Sequence, residues 1–542
     1  MKTLLLVGLW GSAGMLAAGG GVDALPPGPK DISGAQILSH IKTLASDEFE
    51  GRSPGSRSEQ LAVKYIVEQF KRGGLKPGNP DGTFIQDVPL IGSTSRVKAT
   101  FEIKSVAFPV SAANDYVARS PRSQADIIGS KSTIVFAGYG IVAPEFDWDD
   151  FKNVDVAGRT VVLLDGEPTS SDDAFFRGET KTYYGTQASK LADAASRGAA
   201  AVFIVHDPAA TVWSFANLQA SFQKEAFELD SRKTGRSQPT VYGWLTLETW
   251  RRLCEAAHQN AAYLAANAES KTFSPISLSA TARFVVHNNV RRIVSHNVVA
   301  QVTGADPARR GEVVIYTAPW VHQGRDVTLR GDQSHNGAID NAAGVAQLLE
   351  IARAFAACPT PPRRSMLFIA TAADGQSCLG ARYYTEHPFF PLSRTLADIN
   401  LDSSNLWGRT QDVINLGSGL TSLDEVLAEA AATQQRKFSP FTFDHGSDFF
   451  LSDPVEFAKA GIPSVFPSAG SKYRDKPAGY GDRKWTEYRA KYHHQVADEV
   501  QPDWDMSGAV EDAQWLWLTG FKVAQADSFP DWKKGSGFSR KP

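Results

Sequence analysis

The sequence predicts an α/β fold, a mostly parallel central sheet with helices on both faces, plus an inserted β-rich domain. From residue 312 onward, short runs rich in β-branched residues alternate with stretches of helical periodicity, as in strands joined by crossover helices. Between about 131 and 290 the text changes to short apolar runs bounded by Gly and Pro, such as STIVFAGYGIV and GRTVVLLDG. At 542 residues the chain is also too long for one ordinary core.

In chain order, Met1-Lys2-Thr3 precedes an apolar run over 4–18, and Val22-Asp23-Ala24 closes it. A short basic start, a modest apolar stretch and a small-residue end read as a secretory signal over 1–24, which implies a secreted or periplasmic protein. The run is short and interrupted by Gly, so no membrane span is expected once it is removed. Helical periodicity covers 37–49 and 58–73, the second with Leu61, Ala62, Tyr65, Ile66 and Phe70 on one face. Residues 31–130 are taken as the N-terminal part of the main domain and 131–290 as the insert, with a helix at 186–197 and a buried strand at 199–206. The α/β domain then occupies 291–525. Its strands are expected at 312–317, 365–371, 396–402, 412–416 and 462–466, and its helices at 341–356, 379–387 and 422–435. Residues 526–542 are rich in Ser, Gly and Lys and read as a disordered tail.

A net charge of −3, from 56 basic and 59 acidic residues, gives no electrostatic footprint for nucleic acid or an anionic membrane. The three cysteines, Cys254, Cys358 and Cys378, form no disulfide framework. At most one bridge is available, and the sequence does not say which. No CxxC spacing suggests a thiolate zinc site.

The stretch NGAIDNAAGVAQLLEIARAF, 336–355, draws attention first. A Gly-rich turn carries one acid, Asp340, and runs into a helix with Val345, Leu348, Leu349, Ala352 and Phe355 on one stripe. Gly337 and Gly344 are read as letting the backbone turn tightly on either side of Asp340. Asp340 is then either a helix cap or a ligand at a strand-to-helix turn. Two more acids follow predicted strands, Asp374 after MLFIATAA and Asp402 at the end of ADINLD, and His493 and His494 precede QVADEV. Carboxylates at strand ends, with an imidazole from a distant loop, suit a divalent metal such as zinc. Two ions bridged by one carboxylate would clamp both the attacking and leaving oxygens of a hydrolysis. The plainer alternative is a set of solvated loop acids.

The chain resembles the secreted di-zinc aminopeptidases, in the clan that also contains glutamate carboxypeptidase II, over nearly all of its mature length. LASDEFEGRSPGS (44–56) and GLKPGNPDGTF (74–84) resemble the family's N-terminal segment. FAGYGIVAPEFDWDDFKNVDVAGRTVVLL (136–164) resembles its inserted protease-associated domain. RSMLFIATAADGQSCLGARYY and FAKAGIPSVF (457–466) resemble its catalytic core. The resemblance implies a two-zinc site in which Asp340 is the bridging carboxylate, Asp402 the later Asp and His494 the final His. It also implies departures. Where the family has a His-x-Asp pair, this chain has Pro319 and Val321. Where the family has a Glu-Glu pair, general base then ligand, it has Asp374 and Gly375. The family's SDH-like stretch reads Ser452-Asp453-Pro454.

Each zinc would therefore keep two protein ligands, Asp340 with Asp402 and Asp340 with His494, whereas catalytic zinc usually has three. Zinc is expected to bind weakly or not at all, and Asp374 to be a weak general base. The main expectation is a secreted pseudopeptidase that keeps the fold and binds a peptide or protein ligand, as the transferrin receptor and nicastrin keep it without hydrolysis. The alternative is an active metallo-aminopeptidase with a remodelled one- or two-metal site, drawing on neighbours such as His322, Asp332, His335, Cys378 and His493. A glutaminyl-cyclase-like one-zinc transferase ranks last, because its Asp-Glu-His set fails at Gly375.

Overall fold

The computed structural model describes residues 29–541, apart from 173, 179, 210, 212–213, 231–236, 374–377 and 440–447. The leader over 1–24 lies outside the described residues. The main elements are α1 (Gly34–Leu44), α2 (Arg57–Arg72), β1 (Ile85–Ile103), β2 (Ser132–Phe136), β3 (Thr160–Leu164), α3 (Gln187–Ser196), β4 (Ala201–His206), β5 (Val241–Thr246), α4 (Leu247–Ala256), β6 (Ile276–Val302), β7 (Val313–Pro319), α5 (Gly344–Ala356), β8 (Ser365–Thr371), α6 (Leu379–Glu386), β9 (Thr395–Asn400), α7 (Leu423–Thr433), β10 (Ser464–Val465), α8 (Tyr480–Lys491) and α9 (Ser507–Gln525).

The strands join one large mixed sheet containing two parallel blocks. β10, β9, β7 and β8 run parallel in that order. β2, β3, β4 and β5 form the second parallel block. β6 lies between them, antiparallel to both β8 and β2. In the first block, alternate residues serve opposite faces, as the period of two in a strand requires. Val314, Tyr316, Ala318, Met366, Phe368 and Ala370 join the large core under α5 and α9. Val313, Ile315, Leu367 and Ile369 pack on the other face with Ala381 and Tyr384 of α6. Both faces are covered by helices, so these strands read as continuous apolar runs.

β1 and β6 pair antiparallel over nineteen residues, from Ile85 opposite Val298 to Ile103 opposite Ala280. One end of this ribbon belongs to the large core through Val298 and Ala300. The other supplies Ala280, Ala282, Phe284 and Val286 to a second core, in which Phe136 stacks on Trp250 at 5.4 Å. That second core also takes Ala99, Phe101 and Tyr116, so it begins ahead of residue 131. Its parallel strands alternate with helices such as α3 and α4, so the unit is α/β in its connections as well as rich in strands.

The end of the chain departs from expectation. Residues 527–541, read as disordered from their composition, lie against the fold. Arg540 donates from Nη2 to the Leu396 carbonyl at 2.6 Å, and Trp532 donates from its indole to the Gly461 carbonyl at 3.2 Å. Aromatic and guanidinium groups supply anchors that a count of Ser, Gly and Lys overlooks. All three cysteines are buried. Among the described residues, no helix is long and apolar enough to cross a membrane.

Glu59, buried in the first turn of α2, ties that helix to β6. It accepts from the Ser295 hydroxyl at 2.7 Å and lies 3.0 Å from His296 Nδ1. The hydrogen bond to Glu59 raises the His296 pKa and outweighs partial burial. A raised histidine stabilises the fold fully below its unfolded value and loses that contribution as pH rises through the folded value. His296→Gln is therefore expected to lower the urea midpoint clearly at pH 5.5 and much less at pH 8.5. An equal loss at both pH values would show that the imidazolium contributes nothing.

Candidate metal centre

The turn before α5 is built around Asn341. The predicted helix at 341–356 begins only at Gly344, because Asp340 (φ −111°, ψ 93°) and Asn341 (φ −133°, ψ 34°) are not helical. The Asn341 amide donates to the carbonyls of Pro319 and Leu401, both at 3.0 Å, and its oxygen accepts from Gly344 N at 3.0 Å and Ser403 N at 2.7 Å. Asn341 thus serves the helix start and clamps the ends of β7 and β9. Asp340 is released from the capping role and its carboxylate faces the site. Gly337 has φ +58°, and a Cβ there would lie 2.1 Å from the Asp340 carbonyl oxygen, so this turn requires glycine. Gly344 has ordinary helical angles, contrary to the expectation of a second tight turn. Its missing side chain matters because a Cβ would lie 2.4 Å from the Leu401 carbonyl oxygen.

Three imidazoles surround Asp340. His494 Nε2 lies 3.1 Å from Asp340 Oδ2, and His493 Nε2 and His322 Nδ1 each lie 3.8 Å from the same oxygen. Ligand atoms of Asp340, His493 and His494 all lie within 4.8 Å of one another, and this is the one such group of three or more among the described residues. The two adjacent rings stack with centroids 4.0 Å apart. His494 adopts a left-handed backbone, φ +60°, which turns both rings to one side. Asp498, four residues on, fixes the opposite loop: its carboxylate accepts from Ile339 N and Asp340 N, each at 3.1 Å.

Burial acts against the Asp340 carboxylate, but His322 first, then His494 and His493, outweigh it and hold its pKa well below the usual range. Asp402 goes the other way. Burial, then the Asp340 and Asp453 carboxylates, push it up to about 8, although the Ser452 hydroxyl donates to it at 3.2 Å. The two acids thus shift in opposite directions, as closely placed carboxyls do. Burial lowers His322 to about 3 and, together with His494, His493 to about 4. Burial also opposes charge on His494, but the bond to Asp340 prevails and raises it.

The structure brings Asp340, Asp402 and His494 into one electrostatic neighbourhood. Asp374 and Gly375 lie outside the described residues. Pro319 ends β7 with its carbonyl taken by Asn341, and Val321 is buried in the large core. Of the neighbours named from sequence, His322 and His493 reach Asp340. Cys378 is buried with its sulfur 3.5 Å from the Leu451 carbonyl, and Asp332 caps a surface turn at Ser334 N.

Sequence reasoning passed over Arg52. Its buried guanidinium donates to the carbonyls of Trp320 (2.8 Å), Leu44 (2.5 Å), Asn336 (2.6 Å) and Gly337 (3.1 Å). It therefore pins the strand end at Trp320 to the turn that carries Asp340. The signal was present as an Arg inside the Gly-rich text DEFEGRSPG, but nothing in one sequence says that an Arg in a turn points inward.

Residues 297–518 match the model of peptidase family M28. No curated protein matches the chain. Among solved structures, the chain is similar to an aminopeptidase from Aneurinibacillus sp. strain AM-1, with 17% identity and a TM-score of 0.49 over 95% of this chain and 99% of that one. It is also similar to BSAP, a zinc aminopeptidase from Bacillus subtilis, with 17% identity and a TM-score of 0.44 over 95% and 99%. A peptidase M28 precursor from Shewanella amazonensis SB2B aligns at 13% identity and a TM-score of 0.41 over 95% and 96%.

Removing Arg52 would leave the Trp320, Leu44 and Asn336 carbonyls without this donor, while the Gly337 carbonyl keeps Ala342 N at 3.1 Å. Arg52→Met is expected to cost about 3 kcal/mol or more in urea unfolding, since each buried unsatisfied group costs about 1–3 kcal/mol. Arg52→Lys should recover less than half of that loss, because one ammonium lacks the planar fork. A change within about 0.5 kcal/mol for Arg52→Met would refute this positioning role.

Proposed function

We infer, from the match of residues 297–518 to the model of peptidase family M28, that this protein is a secreted pseudopeptidase: the peptidase fold is kept and two-metal peptide hydrolysis is lost. The observation that carries the inference is the end of β7. The resemblance places the first metal's imidazole at position 319 and its orienting carboxylate at 321. Pro319 offers no side-chain donor, its carbonyl is engaged by Asn341, and Val321 is packed into the core. A rotamer change cannot turn either side chain into a ligand.

The second metal is affected in the same way, since Gly375 stands where a carboxylate ligand is expected. Two ions sharing Asp340 would have two protein ligands each, below the three of working catalytic zinc. The residues present therefore do not suit the family's pair of zinc ions, and no hydrolytic step is derived through them. Asp374, one methylene shorter than the family's Glu, would stand back by about 1 Å, a misplacement that costs on the order of a hundredfold in rate. The leader over 1–24 supports export, and the insert is read as a protease-associated domain whose core begins on β1. A peptide or protein ligand held in the cleft is the function that such a scaffold retains.

The test combines loss and repair. Purified protein equilibrated with micromolar zinc is expected to show no cleavage of aminoacyl chromogenic substrates above the buffer rate. A variant carrying Pro319→His, Val321→Asp, Asp374→Glu and Gly375→Glu is expected to bind two zinc ions per chain. Turnover by the unaltered protein would sink the pseudopeptidase reading. Failure of the folded repair variant to take up zinc would show that these positions were wrongly matched to the family's ligands.

A further inference from the structure

We propose that the site keeps a single divalent transition metal on Asp340, His493 and His494, with His493 as a ligand that the family's set does not contain. The proposal rests on the loss of the two-metal site and adds what replaces it.

The geometry is close to that of a bound ion. With zinc bonds of about 2.0–2.1 Å, two ligands of a tetrahedron stand roughly 3.3 Å apart. The distances from Asp340 Oδ2 to His494 Nε2 and His493 Nε2 are 3.1 and 3.8 Å, on either side of that value. All three ligand atoms lie within 4.8 Å of one another, so an ion would draw them together by no more than about 1.5 Å. His322 shares Asp340 but falls outside this mutually close set.

The ligands are also held in place. Neighbouring residues of an extended chain point to opposite sides. The left-handed backbone at His494 breaks that alternation, and the two rings stack at an interplanar angle of 27°. The backbone N–H of His493 bonds the Tyr488 carbonyl at 2.9 Å, anchoring the pair to the end of α8. Asp498 binds the backbone of Ile339 and Asp340 from the same loop that carries the imidazoles. Carboxylate and imidazoles are thus set against one another by a shared support, as outer residues commonly orient metal ligands. His493 and His494 remain 40% and 44% exposed, so solvent reaches the ion and a water completes its coordination.

The donor set selects the class of metal. Two imidazoles and one carboxylate suit zinc, cobalt, nickel or iron, whereas calcium and magnesium require oxygen ligands. Asp402, a ligand by resemblance, lies outside the set.

The test uses the full-length, metal-free protein titrated with Co(II) and monitored by absorption, with metal content measured by mass spectrometry. One Co(II) per chain is expected, with tetrahedral ligand-field bands that zinc abolishes. His493→Ala is expected to weaken binding about tenfold or more, since even supporting residues contribute that much. Asp402→Asn should leave the stoichiometry at one. In the unaltered protein, Co(II) should also shift the ring protons of both His493 and His494 in NMR spectra, a readout that needs no variant to fold. No bound Co(II), two ions per chain, binding indifferent to His493→Ala or abolished by Asp402→Asn, or an unshifted His493 ring would each overturn the proposal. Cleavage of aminoacyl substrates would instead overturn the pseudopeptidase reading and leave this ligand set standing.

Discussion

The arrangement of the site depends on the side-chain amide of Asn341. Both of its donors and its oxygen are used: Pro319 and Leu401 carbonyls receive, and Gly344 and Ser403 N–H groups give. An amide offers two donors and one oxygen with two lone pairs, so no capacity is left over. These four bonds join the ends of two neighbouring parallel strands to the start of the helix that follows. They set Asp340 on one side of the amide and Asp402, next to Leu401, on the other. Buried at the strand ends, the amide has no water to fall back on, so each bond counts more than it would at the surface. Asp340 and Asp402 are therefore held near one another by the backbone that carries them.

A second tier of buried groups supports this clamp. Arg52 reaches in from the N-terminal segment to bind Trp320, Asn336 and Gly337, and Asp498 reaches in from the C-terminal loop to bind Ile339 and Asp340. The turn that carries Asp340 is thus gripped from two distant parts of the chain. The second unit also touches the site's surroundings. Tyr183 lies against Phe450 and Phe538, and Arg177 donates to the Ser418 carbonyl at 2.8 Å. Phe450 stands two residues before Ser452, whose hydroxyl donates to Asp402.

Much of the fold was legible because burial leaves a direct mark on composition. β8 reads as SMLFIAT, apolar at nearly every position, because helices cover both of its faces. The pairing of 85–103 with 276–302 was not legible, since no local pattern names a partner almost two hundred residues away. Gly344 was read as a turn residue, yet its role is to admit the Leu401 carbonyl, a contact that depends on tertiary placement. Asp340 and Asn341 divide the work in a way that the sequence leaves open. Either side chain can cap a helix, and only the non-helical backbone at both residues decides that Asn341 does so. The mutual approach of His493 and His494 turns on one left-handed residue, and histidine is no more than enriched in that conformation.

The residues that hold the site and those expected to do its chemistry are different residues. Pro319 ends a strand, and its backbone carbonyl receives the Asn341 amide. A proline at the last position of β7 leaves the parallel pairing with β8 in register from Val313 to Pro319. Val321 is apolar bulk that the core accommodates without an unpaired group, which buried carboxylates rarely allow. Both residues are therefore compatible with the fold. By contrast, Arg52, Asn341 and Asp498 each bind several backbone groups from distant segments, and loss of any one would leave buried donors or acceptors unmatched.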